Sequence, residues 1–138
     1  MTDDERTQAE LDIRNLTCRL AHLADGDDLD EYVAQFTDDA VWDYARFGPR
    51  HGRDEIHAGA HQRRVDGVQG PGSGIHHIIT TQWVRVDDHD HAVSQAYWMT
   101  LKAVSPPVVD NTGRYDDELR RTPDGWKVAR RTITTEVN

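Results

Sequence analysis

The sequence predicts an α+β fold, helices first and an antiparallel meander of strands second. Three observations carry this. Near the start Ala9, Ile13, Leu16, Leu20 and Leu23 recur at steps of four, three, four and three, one stripe of a helix. From Gly74 onward β-branched and aromatic residues crowd into runs punctuated by glycine, proline and aspartate. The order is not the strand–helix alternation of a parallel sheet. At 138 residues the chain is read as one domain spanning 1–138, large enough for a real core.

Each element has a local reason. Thr2-x-x-Glu5 has the form of a capping box, and Gly26, within Asp25-Gly26-Asp27-Asp28, is a natural helix end. Asp28 can cap a short second helix, with Glu31 three residues on and Leu29, Val33 and Phe36 on its apolar side. Thr37-Asp38-Asp39 reads as a turn into a strand from Ala40 to Tyr44, and Arg46 to Arg50 as the far side of a hairpin. A third helix runs from Gly52 to about Val65-Asp66. Gly67 to Gly74, with four glycines and Pro71, is a flexible connection. Strands follow over Gly74–Val86, His91–Val104, Gly113 to about Thr122, and Trp126–Thr134, with Pro123-Asp124-Gly125 as a turn.

Composition excludes some functions. A net charge of −9 disfavours non-specific binding to nucleic acid or to an anionic membrane. No run approaches the ~18 apolar residues of a membrane span, and the polar start does not read as a signal peptide. Cys18 is the only cysteine, which leaves no internal disulfide and suggests a cytoplasmic location. His57 and His61 lie four apart on the third helix with His51 nearby. The glutamate of a His-Glu-x-x-His site is missing, so neither metal nor cofactor is expected.

The stretch Gly74-Ile-His-His-Ile-Ile-Thr-Thr-Gln-Trp-Val-Arg-Val86 carries the candidate chemistry. Regular alternation puts His77, Ile79, Thr81, Trp83 and Arg85 on one face. It puts His76, Ile78, Thr80, Gln82, Val84 and Val86 on the other. Each face begins with a histidine among apolar neighbours.

The order and spacing of several pieces resemble a family. They are Ala24-Asp25-Gly26-Asp27, Phe36-Thr37-Asp38-Asp39-Ala40-Val41-Trp42-Asp43-Tyr44, and Gly52-Arg53-Asp54-Glu55-Ile56. The His77 strand and Gly113-Arg114-Tyr115 through Gly125-Trp126-Lys127-Val128 complete the set. Together they resemble the SnoaL-like group of the nuclear-transport-factor-2-like superfamily. The resemblance implies a cone: a curved mixed sheet wrapped around the N-terminal helices, enclosing an apolar pocket, in a homodimer or homotrimer. It is closest to members of the scytalone dehydratase, bile-acid dehydratase and hexachlorocyclohexane dehydrochlorinase type. Such members use an aspartate at the end of the first helix and a histidine on the strand after the third. By position these fall on Asp25 and His77, with His76 as the other candidate. Tyr44 matches a pocket tyrosine. Leu20, one turn before Asp25, stands where some relatives have a polar residue.

The residue types suit a β-elimination or proton shift. Imidazole is a base near neutral pH, and a carboxylate on its second nitrogen fixes the tautomer. A phenol such as Tyr44 can donate to a departing hydroxyl, and Arg121 or Arg131 can stabilise a developing anion. Trp42, Trp83, Trp98 and Leu20 are candidates for the pocket wall. Two classes follow: a cofactor-free lyase or isomerase acting on an apolar, cyclic small molecule, or a non-catalytic ligand-binding or partner-subunit module. They are separated by whether Asp25 and His77 meet inside the pocket.

Overall fold

Helices and strands follow one another as α1 (Asp3–Asp25), α2 (Leu29–Ala34), β1 (Phe36–Tyr44), β2 (Gly48–His51), α3 (Gly52–Val65), β3 (Ile75–Val86), β4 (His91–Lys102), β5 (Val108–Thr122) and β6 (Gly125–Thr135) in the computed structural model, which describes residues 1–135. The six strands form one curved, unclosed sheet in the order β2-β1-β6-β5-β4-β3. All neighbours are antiparallel except β1 and β6, which run parallel, so the sheet is mixed. The α+β fold read from the sequence is the one observed.

The capping box at α1 forms in both directions: Glu5 N–H donates to Thr2 Oγ1, and Thr2 N–H to Glu5 Oε2. The predicted stripe is the buried one, with Thr17 added to it. It packs on the inner face of the sheet, with Phe36, Trp42, Trp98, Leu119 and Val128 in the same core. At its far end α1 stops differently from the expectation. Gly26 is extended rather than left-handed, so the usual glycine cap does not form. A side chain caps the helix instead. Arg64 on α3 donates from Nη2 to the carbonyls of Leu23 and Ala24, and from Nε to that of Gly26. A cation at a helix C-terminus also favours the macrodipole.

Two strands begin earlier than the sequence suggests. β1 starts at Phe36, within what reads as a turn, and its pairing with β6 is irregular between Phe36 and Val41. β5 starts at Val108, where exposed β-branched residues extend the hairpin with β4. Further along β5, Gly113 is required by contact. A Cβ there would lie 1.8 Å from the Thr134 carbonyl oxygen and 2.8 Å from Trp98 Cζ2. The Trp98 indole thus lies close against bare backbone.

The largest departure is a bulge in β3. Thr80 pairs with Tyr97 and Trp83 with Gln95, so β3 spends three steps where β4 spends two. Thr81 is the extra residue, exposed and at φ 47°, rare for a β-branched side chain. Beyond it the faces exchange. His77 and Ile79 lie opposite Thr100 and Trp98 on the inner face, and the inner residues are then Gln82, Val84 and Val86. Gln82 donates to Thr17 of α1 and to Ser94 of β4. Thr81→Gly is therefore expected to be neutral or stabilising, by up to about 1 kcal/mol, since glycine adopts positive φ without a Cβ clash. Urea denaturation reads the sign, and a loss above ~1 kcal/mol would contradict the strain.

Candidate active site

The inner face closes on a cavity of about 440 Å³. Its walls come from the end of α1, the β1–β2 hairpin, α3 with its following loop, and the inner faces of β3 to β6. The aromatic part holds Trp42, Tyr44, Phe47, Trp98 and Tyr115, with Leu20 from α1. Rings meet edge to face between Trp42 and Tyr44 and between Tyr44 and Trp98, and Trp98 stacks on Tyr115 at 5.9 Å. The lining is not purely apolar, as the sequence reading had it. Arg63, Gln69, Thr100 and Arg131 also line it.

Asp25 and His77 meet here. His77 Nδ1 lies 2.7 Å from Asp25 Oδ1, and the His77 backbone N–H donates to both carboxylate oxygens at 3.2 and 3.1 Å. A carboxylate can only accept from Nδ1, so in the neutral ring the proton sits on Nδ1, and Nε2, on the far side, carries the lone pair. His77 lines the cavity and Asp25 stands behind it. The carboxylate occupies the C-terminal end of α1, where the helix dipole is unfavourable. The Arg64 cap relieves this, and its charge interacts with Asp25. One arginine thus holds the helix end that presents the aspartate.

A second carboxylate, Asp117 on β5, makes a bidentate pair with Arg131 on β6, Nε to Oδ1 at 2.9 Å and Nη2 to Oδ2 at 2.8 Å. Both side chains are buried. Burial works against the charge of Arg131, but Asp117 outweighs it and holds the guanidinium above its ordinary range. The same guanidinium lies 4.0 Å over the Tyr115 ring. Burial pushes the Tyr115 phenol well above its usual range, so it stays neutral and can only act as a hydrogen-bond donor or acceptor. Arg131 therefore lines the cavity as a neutralised, rigid pair rather than as an isolated cation.

The remaining candidates separate cleanly. Tyr44, Trp42, Trp98 and Leu20 lie on the cavity wall. His76 is exposed and sits opposite Leu101, away from the lining, because successive strand residues face opposite sides. Trp83 is 45 % exposed, with Nε1 donating to Gln95 on the outer face, because the Thr81 bulge turns it outward. Arg121 is exposed and covers the Trp126 ring at 5.2 Å instead of reaching the cavity. Arg63, Gln69, Tyr115 and Asp117 were not among the candidates. Alternation along Tyr115-x-Asp117-x-Leu119 could have placed the aspartate inward. Helical spacing could have placed Arg63 inward, since it continues the stripe of Ile56, Gly59 and Ala60 on α3, which Arg64 does not.

A family model described as the SnoaL-like domain matches residues 5–132. The chain belongs to the SnoaL-like family. A search of the curated proteins finds no match. Among solved structures, this SnoaL-like domain is similar to a cystatin-like-fold protein of unknown function from Nostoc punctiforme. That likeness has TM-score 0.80 and 20 % identity over 91 % of this chain and 90 % of the other. A protein from Novosphingobium aromaticivorans provisionally named as a scytalone dehydratase matches with TM-score 0.79 and 17 % identity, over 99 % and 89 % of the two chains. ActVI-ORFA from Streptomyces coelicolor matches with TM-score 0.77 and 19 % identity, over 91 % and 96 %. At these identities the likenesses show a shared fold. No helix among the described residues is long and apolar enough to cross a membrane.

Proposed function

We propose that this SnoaL-like domain is a cofactor-independent lyase or isomerase acting on a cyclic, largely hydrophobic small molecule. The observation that carries this reading is the Asp25–His77 contact at 2.7 Å on the wall of a cavity large enough for a two- or three-ring compound. His77 Nε2 takes a proton from a carbon next to a carbonyl or ring system, and the electron pair moves into that system. Asp25 stabilises the imidazolium so formed. In a dehydration the pair then expels a β-hydroxyl, which leaves as water with a proton from a phenol such as Tyr44. In an isomerisation the proton returns to another carbon. The provisional name of the Novosphingobium neighbour supports the elimination form.

Hydrogen–deuterium exchange tests the proton-transfer step without knowledge of the substrate. In D₂O the protein is expected to accelerate exchange at the α-carbon of a bicyclic ketone such as 2-tetralone, and His77→Gln to abolish the acceleration. Ketones that bind, seen as a rise in melting temperature, yet exchange at the buffer rate would replace this reading with a ligand-binding module.

The outer sheet face points to self-association into a homodimer or homotrimer, also as a proposal. Trp83 and Tyr97 are 45 % and 50 % exposed on adjacent strands, the kind of patch that marks interfaces. Light scattering is expected to give a multiple of 15.7 kDa, and the monomer mass at micromolar concentration would sink the proposal.

A further inference from the structure

The Arg63 guanidinium is a buried charge in the cavity wall with no counter-ion among the described residues. The residue is 4 % exposed, and its side chain has one hydrogen bond among the described residues, from Nε to Gln69 Oε1 at 3.1 Å. Nη1 is buried without a partner, and no carboxylate pairs with the side chain among the described residues. The charged or ionisable groups that act on it are Tyr32, Tyr115, Arg50 and Arg64, none of which supplies a negative charge at neutral pH. Two rings also support it, Trp42 at 4.3 Å and Phe47 at 5.6 Å. Arg131, on the same cavity, has its own aspartate. A buried cation without an anion is costly unless a ligand provides one.

Other polar groups on the cavity wall are also unpaired among the described residues. Tyr44 Oη, Trp98 Nε1 and Thr100 Oγ1 are buried on its walls with no hydrogen-bond partner among the described residues. The indole N–H and the guanidinium can only donate. Buried donors of this kind are matched by acceptor oxygens on whatever occupies the space.

We propose that Arg63 is a specificity-determining residue that selects ligands bearing a negatively charged oxygen substituent, a carboxylate or a phenolate, on an aromatic or cyclic frame. The guanidinium takes the anionic oxygen from its stacked position over Trp42, while the ring lies against the aromatic wall. The proposal deepens the reading of the same cavity given above and rests on it for the ring-shaped part of the ligand.

Isothermal titration with three probes of one shape tests it: 2-naphthoate, naphthalene-2-carboxamide and the 2-naphthylmethylammonium ion. The wild-type protein is expected to bind the carboxylate roughly tenfold to a hundredfold more tightly than the amide, as a charge-assisted hydrogen bond warrants. The ammonium ion is expected to bind most weakly. Arg63→Met keeps the bulk over Trp42 and is expected to bring carboxylate and amide within about twofold of each other, while Arg63→Lys keeps part of the preference. His77→Gln is expected to retain the preference in full, which separates it from turnover. Equal binding of carboxylate and amide by the wild-type protein would overturn the proposal while leaving the ring-binding cavity standing. A preference that survives in folded Arg63→Met would overturn it too, and failure of all three probes to bind would overturn it together with the cavity reading. Deuterium exchange lost with the preference intact would overturn the catalytic reading alone. The wild-type series decides even if the methionine variant does not fold.

Discussion

Replacing Asp25 by Asn is expected to lower proton-transfer activity by two to four orders of magnitude with little change in ligand binding. The side chain keeps its shape but loses its charge. Its oxygen can still accept from His77 Nδ1–H, yet its amide nitrogen can donate to the same ring nitrogen instead. That alternative puts the proton on Nε2 and removes the base from the cavity side. The imidazolium formed during the reaction also loses its counter-charge. The exchange rate of the ketone probe measures the first effect, and ring ¹⁵N shifts measure the tautomer. Asp25 also accepts the His77 backbone N–H, so the variant's melting curve guards against simple loss of structure. An exchange rate within about threefold of wild type would show that the carboxylate is not part of the chemistry.

Asp117→Asn is expected to destabilise the fold by about 3–5 kcal/mol, the effect of stranding a buried charge. Both side chains are buried and joined by two hydrogen bonds, so little solvent reaches the guanidinium to replace the lost charge. The loss should shift the urea midpoint without changing the slope. Replacing both residues together, Asp117→Leu with Arg131→Met, is expected to recover most of it, because a well-packed apolar pair avoids the desolvation of two ions. A single variant within 1 kcal/mol of wild type would mean that the pair is better hydrated than its burial implies.

Much of the fold was legible because its signals are local. The α1 stripe, both N-caps, the α3 limits and the strand-rich second half are written in residues a few positions apart. The meeting of Asp25 with His77 was legible from position in the family pattern, since it joins residues 52 apart that no periodicity relates. What was missed depends on distant partners. Arg64 caps a helix about 40 residues away, and Arg63 beside it turns to the cavity because it lies on another side of the same helix. Trp83 was placed in the pocket because alternation was carried unbroken through β3. Thr81 looks like an ordinary strand residue, and only the pairing with β4 shows it to be supernumerary.

That supernumerary residue makes β3 insensitive to its own length at one point. Without Thr81 the strand would alternate regularly, with His77, Ile79, Gln82, Val84 and Val86 inward and Trp83 and Arg85 outward, as they already lie. Loss of Ile78 instead would be absorbed by the bulge, with His77 and Gln82 still inward, but Ile79 would turn outward and Thr80 inward between them. The histidine that faces the cavity and the glutamine that ties β3 to α1 would both keep their places, and the core would lose the Ile79 side chain between them. A single deletion between His77 and Gln82 therefore keeps every inward side chain of this strand in place only if it falls at the bulge.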